Sequence, residues 1–187
     1  MRLVSTGQIL PGTLNPMTPV KSYAYVAPSV NTSLSKDFVI SNSVNFIALS
    51  CLVSDVNVPL PDVYRFAFDT NVVAKTTPFK LVLSGCPAGM NSVTYSINPV
   101  GNAYDISNGV INNDAGPNQA QGVGIRLTNY SSGAAVRLDG TEYPVADYNS
   151  VSGNSSIEIS MNASYYRTGT VSSGLVHGAL EVMMYYR

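Results

Sequence analysis

The chain has 187 residues, a length that suits one large β domain, or one domain with part of a second. Only 11% of the residues are charged, the net charge is −1, and the ten basic residues are scattered, so nucleic acid is not an expected partner. No apolar run approaches the roughly 20 residues that a membrane-spanning helix requires. Abundant Ser, Thr and Asn, together with twelve tyrosines, favour strands with an uncharged polar surface.

The N-terminal part of the chain differs from the rest. It contains four prolines before residue 30, its apolar pattern is weak, and residues 31–36 have the composition of a linker. The start of the chain lacks the apolar segment of a secretory signal, so we expect either that a signal has been removed or that Met1 begins a fragment. The sequence predicts an N-terminal segment at residues 1–36 and a second domain at residues 37–187.

Short strand-like runs separated by turn signals follow from residue 44 onwards, and no helical periodicity is visible. Many short strands with regular turns are typical of a β-sandwich or a barrel, so the predicted fold class is all-β. The predicted strands span residues 44–52, 56–58, 64–68, 79–83, 92–97, 123–128, 135–138, 156–166 and 179–186.

The chain has two cysteines, Cys51 and Cys86, which lie 35 residues apart. In a β protein with few charges and many hydroxyl side chains, such a pair indicates one disulfide formed in an oxidising compartment. Two reduced core cysteines are the alternative. A metal site is not favoured, because two thiols and one distant histidine fall short of four ligands.

Two of the strand patterns alternate with period two, which predicts the face that each strand buries. In one of them the predicted core face carries Ile157, Ile159, Met161 and Ala163. In the last strand one face carries Leu180, Val182, Met184 and Tyr186. The other face of the last strand has Glu181 as its only charged residue, so both faces can be partly buried. Such a strand promotes aggregation when it lies at an open sheet edge, and we therefore expect a partner to cover it.

Catalytic chemistry is not expected. His177 is the only histidine and is predicted to lie at the surface, with no Ser-His-Asp spacing around it. Asp55, Asp62 and Asp69 lie singly in predicted turns, where carboxylates commonly cap the turn or face solvent. The sequence therefore predicts no enzyme activity, no metal site and no cofactor.

Several motifs together resemble one known family, the chaperone–usher fimbrial pilins. They are CLVS at 51–54, VNVPLP at 56–61, LVLSGCP at 81–87, AQGVGIRL at 120–127 and ASYYRTG at 163–169, followed by the strand that ends at Tyr186. The resemblance runs from Cys51 to Arg187 and is closest to the C-terminal pilin domains of the mannose-binding tip adhesins of type 1 fimbriae.

The resemblance implies an incomplete immunoglobulin-like β-sandwich, a pilin fold that lacks its seventh strand. Its groove would lie along the last strand and be formed by Leu180, Val182, Met184, Tyr186 and Arg187. A periplasmic pilus chaperone would fill this groove first, and the N-terminal strand of a neighbouring pilin subunit would replace it at an outer-membrane usher. The terminal carboxylate of Arg187 would suit a basic anchor in the chaperone. The resemblance thus implies a fimbrium at the bacterial cell surface that is assembled through the periplasm.

The N-terminal part departs from the family pattern and leaves three functions open. Residues 6–14 resemble the closing strands of an adhesin's receptor-binding domain, so residues 1 to about 30 are predicted to be the remnant of such a domain in a tip adhesin. A host glycan would then bind only through a domain that is mostly absent here. Alternatively, the chain is a shaft or minor pilin that uses residues 38–49 as a donor strand. A third hypothesis is a secreted sugar-binding β-sandwich that folds alone.

Overall fold

A computed structural model describes residues 12–15, 17–25, 33–40, 44–46 and 50–187. The chain divides into two compact units, Met1–Ala48 and Leu49–Arg187. No helix in the described part of the chain is long and apolar enough to cross a membrane.

The described residues of the N-terminal unit form two antiparallel strand pairs. These pairs are β1 (Gly12–Leu14) with β4 (Val44–Phe46), and β2 (Met17–Tyr25) with β3 (Ser33–Ile40). The linker predicted at residues 31–36 coincides in part with β3, whose first residues pair with β2. The domain division at residue 36 remains a prediction.

The second unit consists of nine strands and one short 3-10 helix, η1 (Arg65–Phe68). Its strands are β5 (Leu52–Val53), β6 (Val73–Cys86), β7 (Val93–Val100), β8 (Ala103–Asp105), β9 (Val110–Asn112), β10 (Val123–Asn129), β11 (Tyr143–Pro144), β12 (Asn154–Arg167) and β13 (Ala179–Tyr186). They form a six-stranded sheet in the order β5-β6-β12-β10-β9-β8 and a three-stranded sheet in the order β11-β7-β13. Every pairing between these strands is antiparallel.

The main hydrophobic core lies between the two sheets. Leu83 and Met161 of the six-stranded sheet and Ile97 of the three-stranded sheet are each at most 1% exposed and belong to one cluster. A smaller cluster includes Phe68 and Tyr165 and joins η1 to the end of β12. Two sheets that share one core are a β-sandwich, which confirms the predicted fold class.

Strand β12 buries the face that its alternation predicts. Ile157, Ile159, Met161 and Ala163 are between 1% and 9% exposed. The opposite face is not uniformly exposed to solvent, because Ser164 is only 4% exposed. Its hydroxyl lies 2.9 Å from that of Thr76 on β6, so the buried polar group has a hydrogen-bond partner.

Three of the strand predictions are wrong. Residues 64–68 contain η1, where only Phe68 is fully buried and Phe66 is 68% exposed. A high aromatic content alone therefore does not make this segment a strand. Residues 56–58 form no strand. In residues 135–138, Val136 and Leu138 alternate inward as a strand would, but their N–H groups donate to two different segments, at Leu127 and Ile106. No continuous ladder forms there, whereas the unpredicted strands β8, β9 and β11 are present.

Candidate site at the free edge of the last strand

The predicted disulfide between Cys51 and Cys86 is present, and both cysteines are buried. Cys86 ends β6 and Cys51 immediately precedes β5, so the bond fixes the start of the second unit to the six-stranded sheet. The hydroxyl of Tyr186 donates a hydrogen bond of 3.1 Å to the carbonyl oxygen of Cys51. The last strand is thereby tied to the segment that carries the disulfide.

Strand β13 lies at the edge of the three-stranded sheet. It pairs with β7 over its whole length, from Ala179 opposite Val100 to Tyr186 opposite Val93. No strand among the residues that the structure describes pairs with its other edge. The outward N–H and C=O groups of β13 are therefore available to a further strand.

The inward face of β13 is less buried than the strand beside it. Val93, Tyr95 and Ile97 of β7 are between 1% and 5% exposed. Their partners in the ladder are Tyr186, Met184 and Val182, and each of these is only half-buried although it packs against the main core. The core is therefore closed over β7 and remains partly open over β13.

The sequence-predicted groove residues of β13 share this face. Leu180, Val182, Met184 and Tyr186 all pack against the main core and all are half-buried. On the opposite face, Glu181 and Met183 are exposed. The structure brings the four residues together on one face, while their role as a groove for a partner remains a prediction.

Arg187 follows the strand and is held on the β7 side. Its backbone N–H donates to the Ser92 carbonyl at 3.0 Å, and its own backbone oxygen accepts from the Ser92 N–H at the same distance. Its guanidinium forms a bidentate ion pair with Glu142, with Nη–Oε distances of 2.6 and 2.7 Å. No local sequence pattern indicates this pair, because Glu142 is 45 residues away.

The Arg187–Glu142 pair predicts a specific acid sensitivity. Hydrogen bonds from Arg187 and then Thr94 lower the pKa of the Glu142 carboxyl from 4.5 to about 2. Because the pKa is lower in the folded chain, this pair stabilises the fold above about pH 4.5 and the contribution is lost as the pH falls towards 2. We expect carbon-13 NMR to show a Glu142 titration midpoint near 2, and Arg187→Gln to raise it towards 4.5.

Arg137→Gln is the matched control for that titration, because it removes a different exposed ion pair, to Asp139, and should leave the Glu142 midpoint unchanged. A wild-type midpoint close to 4.5 would contradict the ion pair in solution.

A cavity of about 550 Å³ lies where β13 begins, between the ends of the two sheets. Gly178 and Ala179 contribute to its wall, and amide side chains such as Gln119 and Gln121 line it. The side-chain oxygen of Gln119 is buried without a hydrogen-bond partner. The lining residues include no aromatic ring that could stack on a sugar, so the cavity does not favour a sugar-binding function.

The candidate acid–base residues do not assemble into a site. The His177 side chain is 73% exposed, and its Nδ1 lies 2.5 Å from a carboxylate oxygen of Asp114. Asp55, Asp62 and Asp69 are exposed. In the part of the chain that the structure describes, no cluster of three or more His, Cys, Asp or Glu side chains could hold a metal ion.

The family to which the chain belongs follows from its sequence profile. The profile described as "Fimbrial protein" matches residues 40–187, about four-fifths of the chain. The chain belongs to the fimbrial protein family. This is a family of structural pilus subunits and not of enzymes, and it implies a place in a cell-surface pilus beside neighbouring subunits. No curated protein matches the chain in sequence.

Solved structures similar to the chain include a tip adhesin, a rod subunit and a chaperone–usher pilus. The CupB6 tip adhesin from Pseudomonas aeruginosa is 22% identical with a TM-score of 0.60, and the match covers 80% of this chain and 45% of the adhesin. The P pilus rod subunit PapA is 16% identical with a TM-score of 0.56, covering 73% of this chain and 99% of PapA. A chaperone–usher pilus structure that addresses rod uncoiling is 14% identical with a TM-score of 0.57, covering 88% and 100%.

These likenesses concern the fold, which is that of the chaperone–usher pilins, as the sequence motifs predicted. The match spans less than half the length of the tip adhesin. Both a tip adhesin and rod subunits share the fold, so the likenesses do not assign a position in the pilus.

Proposed function

We propose that the second unit joins a pilus by donor-strand complementation, with the free edge of β13 as the acceptor. A periplasmic chaperone first adds a strand to this edge, and a neighbouring pilin subunit then replaces it at the outer-membrane usher. The observation that carries the proposal is the burial gradient, in which Val182, Met184 and Tyr186 remain half-buried beside fully buried partners on β7. An added strand would supply main-chain hydrogen bonds to β13 and cover these side chains.

The terminal residue fits the same proposal. Arg187 lies directly after the edge, and its guanidinium is neutralised by Glu142. Basic side chains of a chaperone that approach this end of β13 would therefore meet less repulsion from the Arg187 side chain. We propose that chaperone contact extends from Leu180 to Arg187.

We further propose that the chain is the pilin domain of a tip adhesin and supports cell adhesion. In the N-terminal unit, β3 pairs with β2 and β4 pairs with β1. This arrangement supports a remnant of a folded domain, because a donor strand must be free to pair with another subunit. In the alternative, a shaft or minor pilin, residues 38–49 leave these pairings and enter the groove of the next subunit.

Periplasmic expression with and without a pilus chaperone tests the acceptor role. We expect the full chain to accumulate as a soluble complex with the chaperone and to give a much lower yield of soluble free chain without it. Tyr186→Ala should abolish co-purification, since it removes the Cys51 contact and part of the inward face. Tyr130→Ala is the matched control, because this exposed tyrosine lies in a turn away from the edge. An equal yield of stable monomer without a chaperone would contradict the acceptor role and support a β-sandwich that folds alone.

A synthetic peptide of residues 38–49 separates the tip and shaft positions. The shaft alternative expects this peptide to displace the chaperone from a second copy of the chain, whereas the tip proposal expects no displacement. Electron microscopy of pili that carry an epitope-tagged chain gives an independent answer. Label at one end of each fibre supports the tip, and label repeated along the fibre supports the shaft.

A further inference from the structure

The second unit has another free strand edge, on β6, which is longer than the free edge of β13. Strand β6 pairs with β12 along its 14 residues. On its other side β5 pairs only with Leu83 and Ser84. Among the residues that the structure describes, no strand pairs with the remainder of that side, from Ala74 to Val82.

Three residues along this free edge disfavour strand addition. Lys75 is a bulge residue, because Ala74 pairs with Tyr165 while Thr76 pairs with Ser164, and its φ of +47° lies in the left-handed region. Pro78 has no N–H group to donate to an incoming strand. Lys80 places a long charged side chain on this strand, with its Nζ ion-paired to Glu158 of β12 at 2.5 Å, and all three side chains are exposed. Bulges, prolines and lysines are the devices by which natural sheets block edge-to-edge pairing.

The outermost strands of the second unit other than β6 differ in length. β5 and β11 each have two residues and β8 has three, which are too short to template a strand. β13 has eight residues, contains neither proline nor lysine, and has Glu181 as its only charge.

We propose that Lys75, Pro78 and Lys80 close the β6 edge to a second copy of this chain. The free part of β6 contains Phe79 and Leu81, which alternate as in a strand-forming, apolar pattern. If two copies paired through this edge, the bulges at Lys75 would break the register and Pro78 would leave a facing carbonyl group without a donor. The proposal concerns β6 alone and does not depend on whether β13 accepts a strand.

The test compares the full-length wild-type chain with the triple variant Lys75→Thr, Pro78→Thr and Lys80→Thr. Threonine restores the missing N–H, disfavours the left-handed bulge and removes the charge. We expect analytical ultracentrifugation to show a dimer dissociation constant at least about tenfold lower for the variant. Hydrogen exchange should show new protection at residues 76–82 when the dimer forms. The single variant Pro78→Thr should show the same protection pattern with a smaller change in affinity.

The matched control is Pro61→Thr, Arg65→Thr and Arg137→Thr, which removes the same charge and one proline at exposed positions outside β6. This control should associate as the wild type does. The proposal is overturned if the β6 variants associate no more strongly than the control, or if their new protection lies on β13 and not on β6.

Discussion

Replacing Cys51 and Cys86 together by alanine is expected to lower the free energy of unfolding by about 3–4 kcal/mol. The bond closes a loop of 35 residues, and the chain-entropy estimate for a loop of that size has this magnitude. Both cysteines are buried, so reduction without substitution should give a similar loss. Denaturant unfolding followed by circular dichroism measures the change.

The loss of the disulfide should also affect the last strand. Cys51 accepts the hydrogen bond of Tyr186, and freeing the segment at Cys51 removes a fixed partner from the end of β13. Hydrogen exchange should therefore rise at Tyr186 and Arg187 in the cysteine variant. Leu52→Ala serves as the control, because this neighbouring side chain is 71% exposed and makes no such bond. A stability change below about 1 kcal/mol would contradict the assigned role of the disulfide.

Val182→Asp is expected to weaken the binding of a chaperone or donor strand by about 100-fold. Val182 is half-buried, packs on the core and lies opposite Ile97, which is 1% exposed. A strand added to the free edge would enclose the new carboxylate in apolar surroundings without a partner, which carries a large desolvation penalty. The affinity can be measured by surface plasmon resonance with the purified chaperone.

Met183→Asp is the matched control for Val182→Asp. It places the same charge one position further along the same strand, on the outward face, where the native side chain is 44% exposed. We expect its affinity to remain close to that of the wild type. Val182→Ala distinguishes loss of binding from loss of folding, because it should fold and bind with an intermediate affinity. Equal effects of the two aspartate variants would argue against a groove on the inward face.

The sequence predicted those parts of the fold in which local periodicity and burial coincide. β12 buries the face that its alternation indicates, and the predicted last strand has the observed bounds. The prediction failed where burial and pairing diverge. At residues 135–138, alternating Val136 and Leu138 are both buried but belong to no strand, because their backbone partners lie on two separate segments.

The candidate site was predictable in part. The apolar character of Leu180 to Tyr186 is visible in the sequence, and so is the need to cover it. Which strand lies beside it, and how far each side chain is buried, depend on long-range pairing with β7. The Arg187–Glu142 ion pair and the Tyr186–Cys51 hydrogen bond join residues distant in the chain, so no spacing rule could have indicated them.

Hydrogen exchange of the β13 backbone, in the free chain and in its chaperone complex, tests the central claim most directly. The N–H groups between Ala179 and Tyr186 that point away from β7 have no strand partner among the described residues. They should therefore exchange rapidly in the free chain. The N–H groups of β13 that point towards β7 and bond to it should already be protected. Complex formation is expected to protect the N–H groups of β13 that point away from β7. The exchange rates along the β6 edge should stay unchanged. Unchanged exchange along β13 in a stable complex would contradict strand addition at this edge.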